Sequence, residues 1–350
     1  METLLGHDPR LVVAALSIGG AIIGIFLKEV VVRIFLEERK EEKLSRKIFS
    51  SYFDPIESAS SDLFWRLNEF LVYRGRDSFF SNRETATKYE KYKFDSTLYR
   101  IAALLGWIRA YRREINGFSL NAPDFAFDFE NALGSISHAL SDGSFIERQR
   151  MQALCELWRI DQNFDIRPAE IAAHLDVILQ RHLSQHSAEI ATGLEADEKA
   201  SLAKDLAAEI SQRTLGADIS QSVIDETVER AMQAVSTRES WLYRDFQHGI
   251  GDMMIKESSW GTRRFEVIGF REFEEILSNS KSNDYVWIER LTDIIDGLDV
   301  QSKTKNDARV SMLKNVYSAI IELTEALEKI QDRRSDNPLL TAARESSFVS

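Results

Sequence analysis

One cysteine, Cys155, among 350 residues excludes an intramolecular disulfide. Five prolines and sixteen glycines are too few breakers for a turn-rich protein, and with long periodic runs they point to an all-α fold. There is no His-Glu-x-x-His and no Asn-x-Ser/Thr sequence, and Gly249-Ile250-Gly251 lacks the third glycine and the preceding strand of a phosphate loop. Basic residues are in deficit, 44 Lys and Arg against 56 Asp and Glu. The first 47 residues hold eight basic and seven acidic side chains, so the acidic excess falls on the remainder. A body of that sign is unsuited to a phosphate backbone, which excludes nucleic acid as a partner. No cofactor is implied by any motif.

Charge is also missing from Leu11 to Leu27, seventeen consecutive residues. As a helix this run is about 25 Å long, short of a ~30 Å bilayer core but within reach when flanking Arg10 and Lys28 extend to the interfaces. A cleaved signal peptide or a buried core helix are the other readings. Against cleavage stand Glu2 and Asp8 before the run and bulky Val30-Val31-Val32 after it. Seven basic residues between Lys28 and Lys47 against Arg10 alone upstream orient the span. The expectation is a single-pass protein of the inner (plasma) membrane, with residues 1–10 outside and the body cytoplasmic. Gly20 and Gly24 form a GxxxG that lets two membrane helices approach closely.

Beyond the 11–27 anchor, 28–50 reads as a charged helical stalk. A helical body then occupies 51–186 and 237–334, a helical insertion 187–236, and a disordered tail 335–350. Asp54-Pro55 reads as a helix start, N-cap followed by proline. Helices are expected over 88–115, 123–140, 145–160, 168–186, 240–256, 271–277, 284–295 and 307–334, with an extended piece at Phe265–Ile268. The insertion has no aromatic residue and no proline. With little core of its own, 190–236 should be removable without unfolding the body. Leu313, Val316, Ile320, Leu323, Leu327 and Ile330 alternate three and four apart, a seam for a self-packed helix or for homo-oligomers.

Several segments together resemble a family of membrane-anchored helical proteins, mostly bacterial, that has no assigned activity. They are Tyr52-Phe53-Asp54-Pro55, Leu98-Tyr99-Arg100-Ile101 with Trp107, Arg112-Arg113-Glu114-Ile115, Phe246-Gln247-His248-Gly249-Ile250-Gly251-Asp252, and Trp287 with Leu291 and Leu298-Asp299. The likeness covers about 50–140 and 240–300; it implies a helical fold and no mechanism.

Cys155 lies among Leu154, Leu157 and Trp158 at helical spacing, which reads as a buried, inert thiol. His182 and His186 are four apart, as zinc ligands are, yet lack an obvious third ligand and read as surface residues. Asp293, Asp296 and Asp299 read as a solvated face. The candidate ligand or anion pocket is Arg112, Arg113, Glu114, Gln247, His248 and Asp252, with Arg112 or Arg113 turned inward onto Asp252; a structural ion pair is the simpler reading. The leading expectation is a membrane-tethered cytoplasmic scaffold or regulatory module that binds a protein. Alternatives are a membrane-anchored enzyme or toxic effector with a site assembled from distant helices, and a self-associating membrane assembly.

Overall fold

The computed structural model describes residues 28, 47–73, 86–115, 124–161, 163–215, 218–259, 263–298, 300, 307–332 and 337–346. The span expected at 11–27, with Gly20 and Gly24, lies outside them, as do most of the stalk and Asp299. Among the described residues, no helix is long and apolar enough to cross a membrane.

The described chain is mostly helical, with one two-stranded sheet. Helix α1 covers 47–71 and does not begin at Asp54-Pro55. Ile48, Phe49, Tyr52, Phe53, Ile56 and Leu63 form one buried stripe through the proline. Proline has no N–H to give the carbonyl four residues back. That carbonyl, Ser51 O, instead accepts from Arg263 Nη1 at 3.0 Å. The continuation was invisible locally because its compensating donor lies far along the chain.

Helices α2 (Lys88–Ile115), α3 (Asp124–Ser141) and α11 (Ala308–Gln331) form the centre of the principal core with α1, to which residues of the 242–298 segment, among them Ile250, Phe273 and Leu291, also contribute. It is filled with rings: Tyr111 meets Phe49, Tyr52 and Phe129 edge-on or tilted, and Phe64 stacks on Tyr317 at 4.6 Å. The five apolar residues from Leu313 to Leu327 in the α11 seam are buried, and α11 packs on α3. Oligomerisation through that seam would require opening the core. The expected tail also needs correction: Pro338–Glu345 form helix α12, capped by Asn337 and buried through Leu339, Leu340 and Ala343 against α11.

Helices α4 (Ser144–Trp158), α5 (Pro168–Gln185), α6 (Ala196–Arg213) and α7 (Gln221–Val235) form a second unit. Each packs on the next and α7 returns to α4, closing a ring around a separate core. The aromatic-free segment therefore shares its interior with α4 and α5, and a boundary at residue 187 cuts through the bundle. The packed unit is 144–235. Removing 190–236 alone would expose the inner faces of α4 and α5. Two histidines on α5 and the one that caps its C-terminus pair with α6 carboxylates: His174 with Glu209 at 3.0 Å, His182 with Asp205 at 2.9 Å, and His186 with Glu198.

The chain enters and leaves the bundle side by side. Leu242 N donates to Leu140 O at 2.9 Å, and Trp241 lies over Gly143, where a Cβ would meet its ring at 3.1 Å. The return path leads into α8 (Arg244–Met254), strands β1 (Ile255–Glu257) and β2 (Phe265–Val267), α9 (Phe270–Ser278) and α10 (Tyr285–Asp293). The strands pair antiparallel, Lys256 opposite Glu266. Helix α8 crosses α2 closely enough that a Cβ on Gly251 would lie 2.6 Å from Arg109 Cβ, and one on Gly106 2.8 Å from Met254 Cβ. The Gly249-Ile250-Gly251 segment is thus a helix-packing feature.

Candidate functional site

The six candidate residues sit on α2 and α8, and the structure divides them. Arg109 and Arg113 lie four apart on the α2 face toward α8. Arg109 makes the paired contact with Asp252, 2.8 Å from Nε to Oδ1 and 2.9 Å from Nη2 to Oδ2, and Arg113 adds a 3.5 Å contact. Arg112 is turned about 100° from Arg113 around the helix. It faces Glu130 on α3 at 3.9 Å. The principal partner of Asp252 is therefore Arg109 rather than Arg112, and the pair lies at the surface instead of turned inward. Glu114 accepts from the Tyr52 hydroxyl at 3.0 Å and from Arg264 N at 3.1 Å. Gln247 is buried, and its amide donates to Ser137 O at 2.8 Å and Leu242 O at 2.7 Å. It ties α8 to α3 and to the return path, leaving no donor for a ligand.

His248 is half-buried; burial and the Arg109 and Arg112 guanidiniums hold its imidazole below the usual range. Arg112 is likewise lowered, by burial and then by Arg244 and Arg109. The face is an arginine-rich surface, and none of the four cavities described in the molecule is lined by it.

A more enclosed polar site lies where the bundle meets the body. Its centre is Arg150, on the α4 stripe between Ile146 and Leu154, one turn from each, and only 4% exposed. It donates to Asp176 Oδ1 at 2.6 Å, to Glu239 Oε1 at 3.1 Å, and to the carbonyls of Val235 and Thr237 at 3.2 and 3.1 Å. Glu239 also accepts from Gln180 at 3.1 Å and from Trp241 Nε1 at 2.9 Å. One arginine thus joins α4, α5 and the return path. Two cavities of about 260 and 290 Å³ flank it and share Gln180, Glu239, Ser240 and Arg290. Glu147 and Asp176 both line the larger. Burial raises both carboxyls above the usual range; Asp176 and Glu239 add to the rise at Glu147, and Glu239 to that at Asp176, where Arg150 opposes it. The sequence signal for this site was an arginine at a stripe position, which requires buried acceptors.

A second such arginine, Arg309, is 1% exposed. Asp307 holds it with both oxygens, at 2.8 and 2.6 Å, and it donates to the carbonyls of Asp293 and Asp296 at 2.8 and 2.7 Å. The backbone of the aspartate series is thus recruited to hold an arginine. Among the described residues no group of three His, Cys, Asp or Glu side chains is placed to hold a metal ion. Cys155 is buried, its thiol pushed up to about 11 by burial.

No family model matches the chain, and no curated protein and no solved structure is similar to it.

Proposed function

We propose that this protein is a membrane-tethered helical adaptor. Residues 11–27 hold it at the inner membrane, the body formed by α1–α3 and α8–α12 faces the cytoplasm as a rigid base, and the α4–α7 bundle takes a protein partner. One observation carries the reading: the bundle has a complete apolar core separate from that of the body and is joined to it by two adjacent crossings. A unit inserted in this way leaves the host core intact and presents its outer faces to solvent. The α2–α8 groups agree with a structural base, because Gln247 and the Arg109–Asp252 pair bind helices to one another. The second reading, an anchored enzyme or effector, has one point in its favour: Glu147 and Asp176 are carboxyls raised in a cleft, as general acids are. Self-association would fall to the anchor glycines, since the α11 seam is filled from within.

The test compares tagged full-length protein with a variant in which 144–236 is replaced by a short Gly/Ser bridge. Both should sediment with membranes, and removal of residues 1–47 should release the body. After crosslinking in membranes, a protein partner should be recovered with the full chain and lost with the bundle. Recovery of the same partners by both would refute the adaptor role of α4–α7.

A further inference from the structure

We propose that the cleft between the bundle and the body binds a primary ammonium group carried by a small aliphatic di- or polyamine. The site would exist whether or not the bundle serves as an adaptor. Its wall is negative: Glu147, Asp176 and Glu239 contribute three carboxylates, and Arg150 is already divided between the last two. Glu147 is the unsatisfied member. It sits one turn before Arg150 on α4, half-buried, and among the described residues its carboxylate takes part in no hydrogen bond or ion pair.

A second, independent feature points to a ligand. Ser240 lines both cavities, is 8% exposed, and its Oγ has no hydrogen-bond partner. A buried hydroxyl with no protein partner keeps an unmet hydrogen bond that a donor can satisfy. An ammonium carries three donors and no acceptor. It can donate to the Glu147 carboxylate and to the Ser240 oxygen together.

The rest of the lining selects the kind of cation. The Arg150 guanidinium stands between Asp176 and Glu239, so these carboxylates do not converge on one point as a metal ion demands. An anion would meet three carboxylates against Arg290. Trp241, Tyr243 and Phe246 line the same cavity. The Phe246 face is occupied by Arg290 at 5.0 Å, while the Tyr243 ring is 56% exposed and open to an alkylammonium. A volume of about 290 Å³ is at the small end of ligand pockets and suits a slender chain.

The experiment is isothermal titration calorimetry of the full chain in non-ionic detergent with 1,4-diaminobutane, spermidine, N-acetyl-lysinamide and inorganic phosphate. Binding of a diamine or polyamine is expected, with affinity reduced about tenfold in Glu147→Gln, the effect of losing one charge-assisted hydrogen bond. Ser240→Ala should give a smaller loss. Glu147→Gln should melt no lower than the parent, which separates lost binding from lost folding. Absence of heat with both amines, equal affinity in Glu147→Gln, or binding of phosphate would overturn the proposal. N-acetyl-lysinamide binding as tightly as the diamine would overturn it too, assigning the cleft to a partner's lysine.

Discussion

The body core sets many rings among its aliphatic side chains, whereas the bundle core is almost wholly branched and small aliphatics. Around α1–α3 and α11 the largest fully buried side chains include Tyr52, Tyr111, Tyr317, Phe64, Phe70 and Phe129. Inside α4–α7 the buried residues are chiefly Leu, Ile and Ala, and Trp158 alone among them is aromatic. A ring buries more area per residue and fixes its neighbours by edge-to-face geometry. Alanines such as Ala203, Ala207 and Ala231 instead let helices approach closely at the expense of buried area. The bundle makes up part of the difference with polar ties: Trp158 Nε1 to Thr227 at 3.0 Å and the three histidine–carboxylate pairs between α5 and α6. The bundle should therefore be the less stable region, opening before the body does.

The most drastic way to break this contrast is excision. Replacing 144–236 by a Gly/Ser bridge should leave one cooperative melt, because the body core receives nothing from α4–α7. Excising 190–236 alone should give aggregation or a broadened transition, since Ile171, Leu175 and Leu179 would lose their cover. Identical, cooperative melts of both proteins would show that α4 and α5 belong to the body.

Next in size is Arg309→Ala, which strands a carboxylate and the carbonyls of Asp293, Asp296 and Gly297 that now share one guanidinium. Removing one partner of such a buried pair costs about 3–5 kcal/mol. Denaturant unfolding should show the body's midpoint fall by that amount, with the bundle's amide exchange little changed. Leu206→Ala reverses the pattern. Leu206 is 1% exposed in the bundle core, and its truncation should cost about 2–4 kcal/mol. The loss should appear in the exchange of α4–α7 amides and in faster labelling of Cys155, while the body's exchange is preserved. A uniform loss across both regions would mean that the cores unfold as one.

The smallest effect has the opposite sign. Glu147 is raised by burial and by Asp176, Glu239 and Asp142, with Arg150 opposing. A carboxyl whose folded value lies above its unfolded value binds more protons when folded, so stability falls as pH rises through that interval. Glu147→Gln removes the charge, and at neutral pH it should stabilise the protein by roughly a few tenths of a kcal/mol after solvent screening. The gain should disappear at about pH 4, where the parent carboxyl is also neutral. A pH series of thermal melts checks both statements.

Long periodic helices were the readable part of the fold. The 88–115 helix has the observed bounds, and those at 168 and 307 fall within a few residues of them, because their stripes repeat over many turns. The composition change at 187 marked a real difference in core material. It missed the boundary because α4 and α5 belong to the bundle by contact, which composition does not encode. Asn337-Pro338 carried the same N-cap and proline signal as Asp54-Pro55, yet it starts a helix and the earlier pair does not. What separates them is upstream: Ile48, Phe49 and Tyr52 continue the stripe before Asp54, and Arg263 serves the carbonyl freed by Pro55. At the candidate site the helix pair was legible from its charged residues, whereas the rotation of α2 that selects Arg109 over Arg112 was not. The junction cleft was illegible for a further reason: its carboxylates come from α4, α5 and the return path, separated by dozens of residues.

The side-by-side crossings also have a mechanical meaning for a protein expected to be held at one end by a bilayer. Tension from that end travels up the chain to Leu140 and continues from Leu242. The hydrogen bond between them, with Trp241 seated on Gly143, bridges the two points before any load reaches α4. The bundle is therefore a slack loop closed by a clasp, shunted out of the load path while the clasp holds. Pulled from both ends in single-molecule experiments, the chain should keep α4–α7 folded until one abrupt rupture, after which the bundle takes the full force and extends.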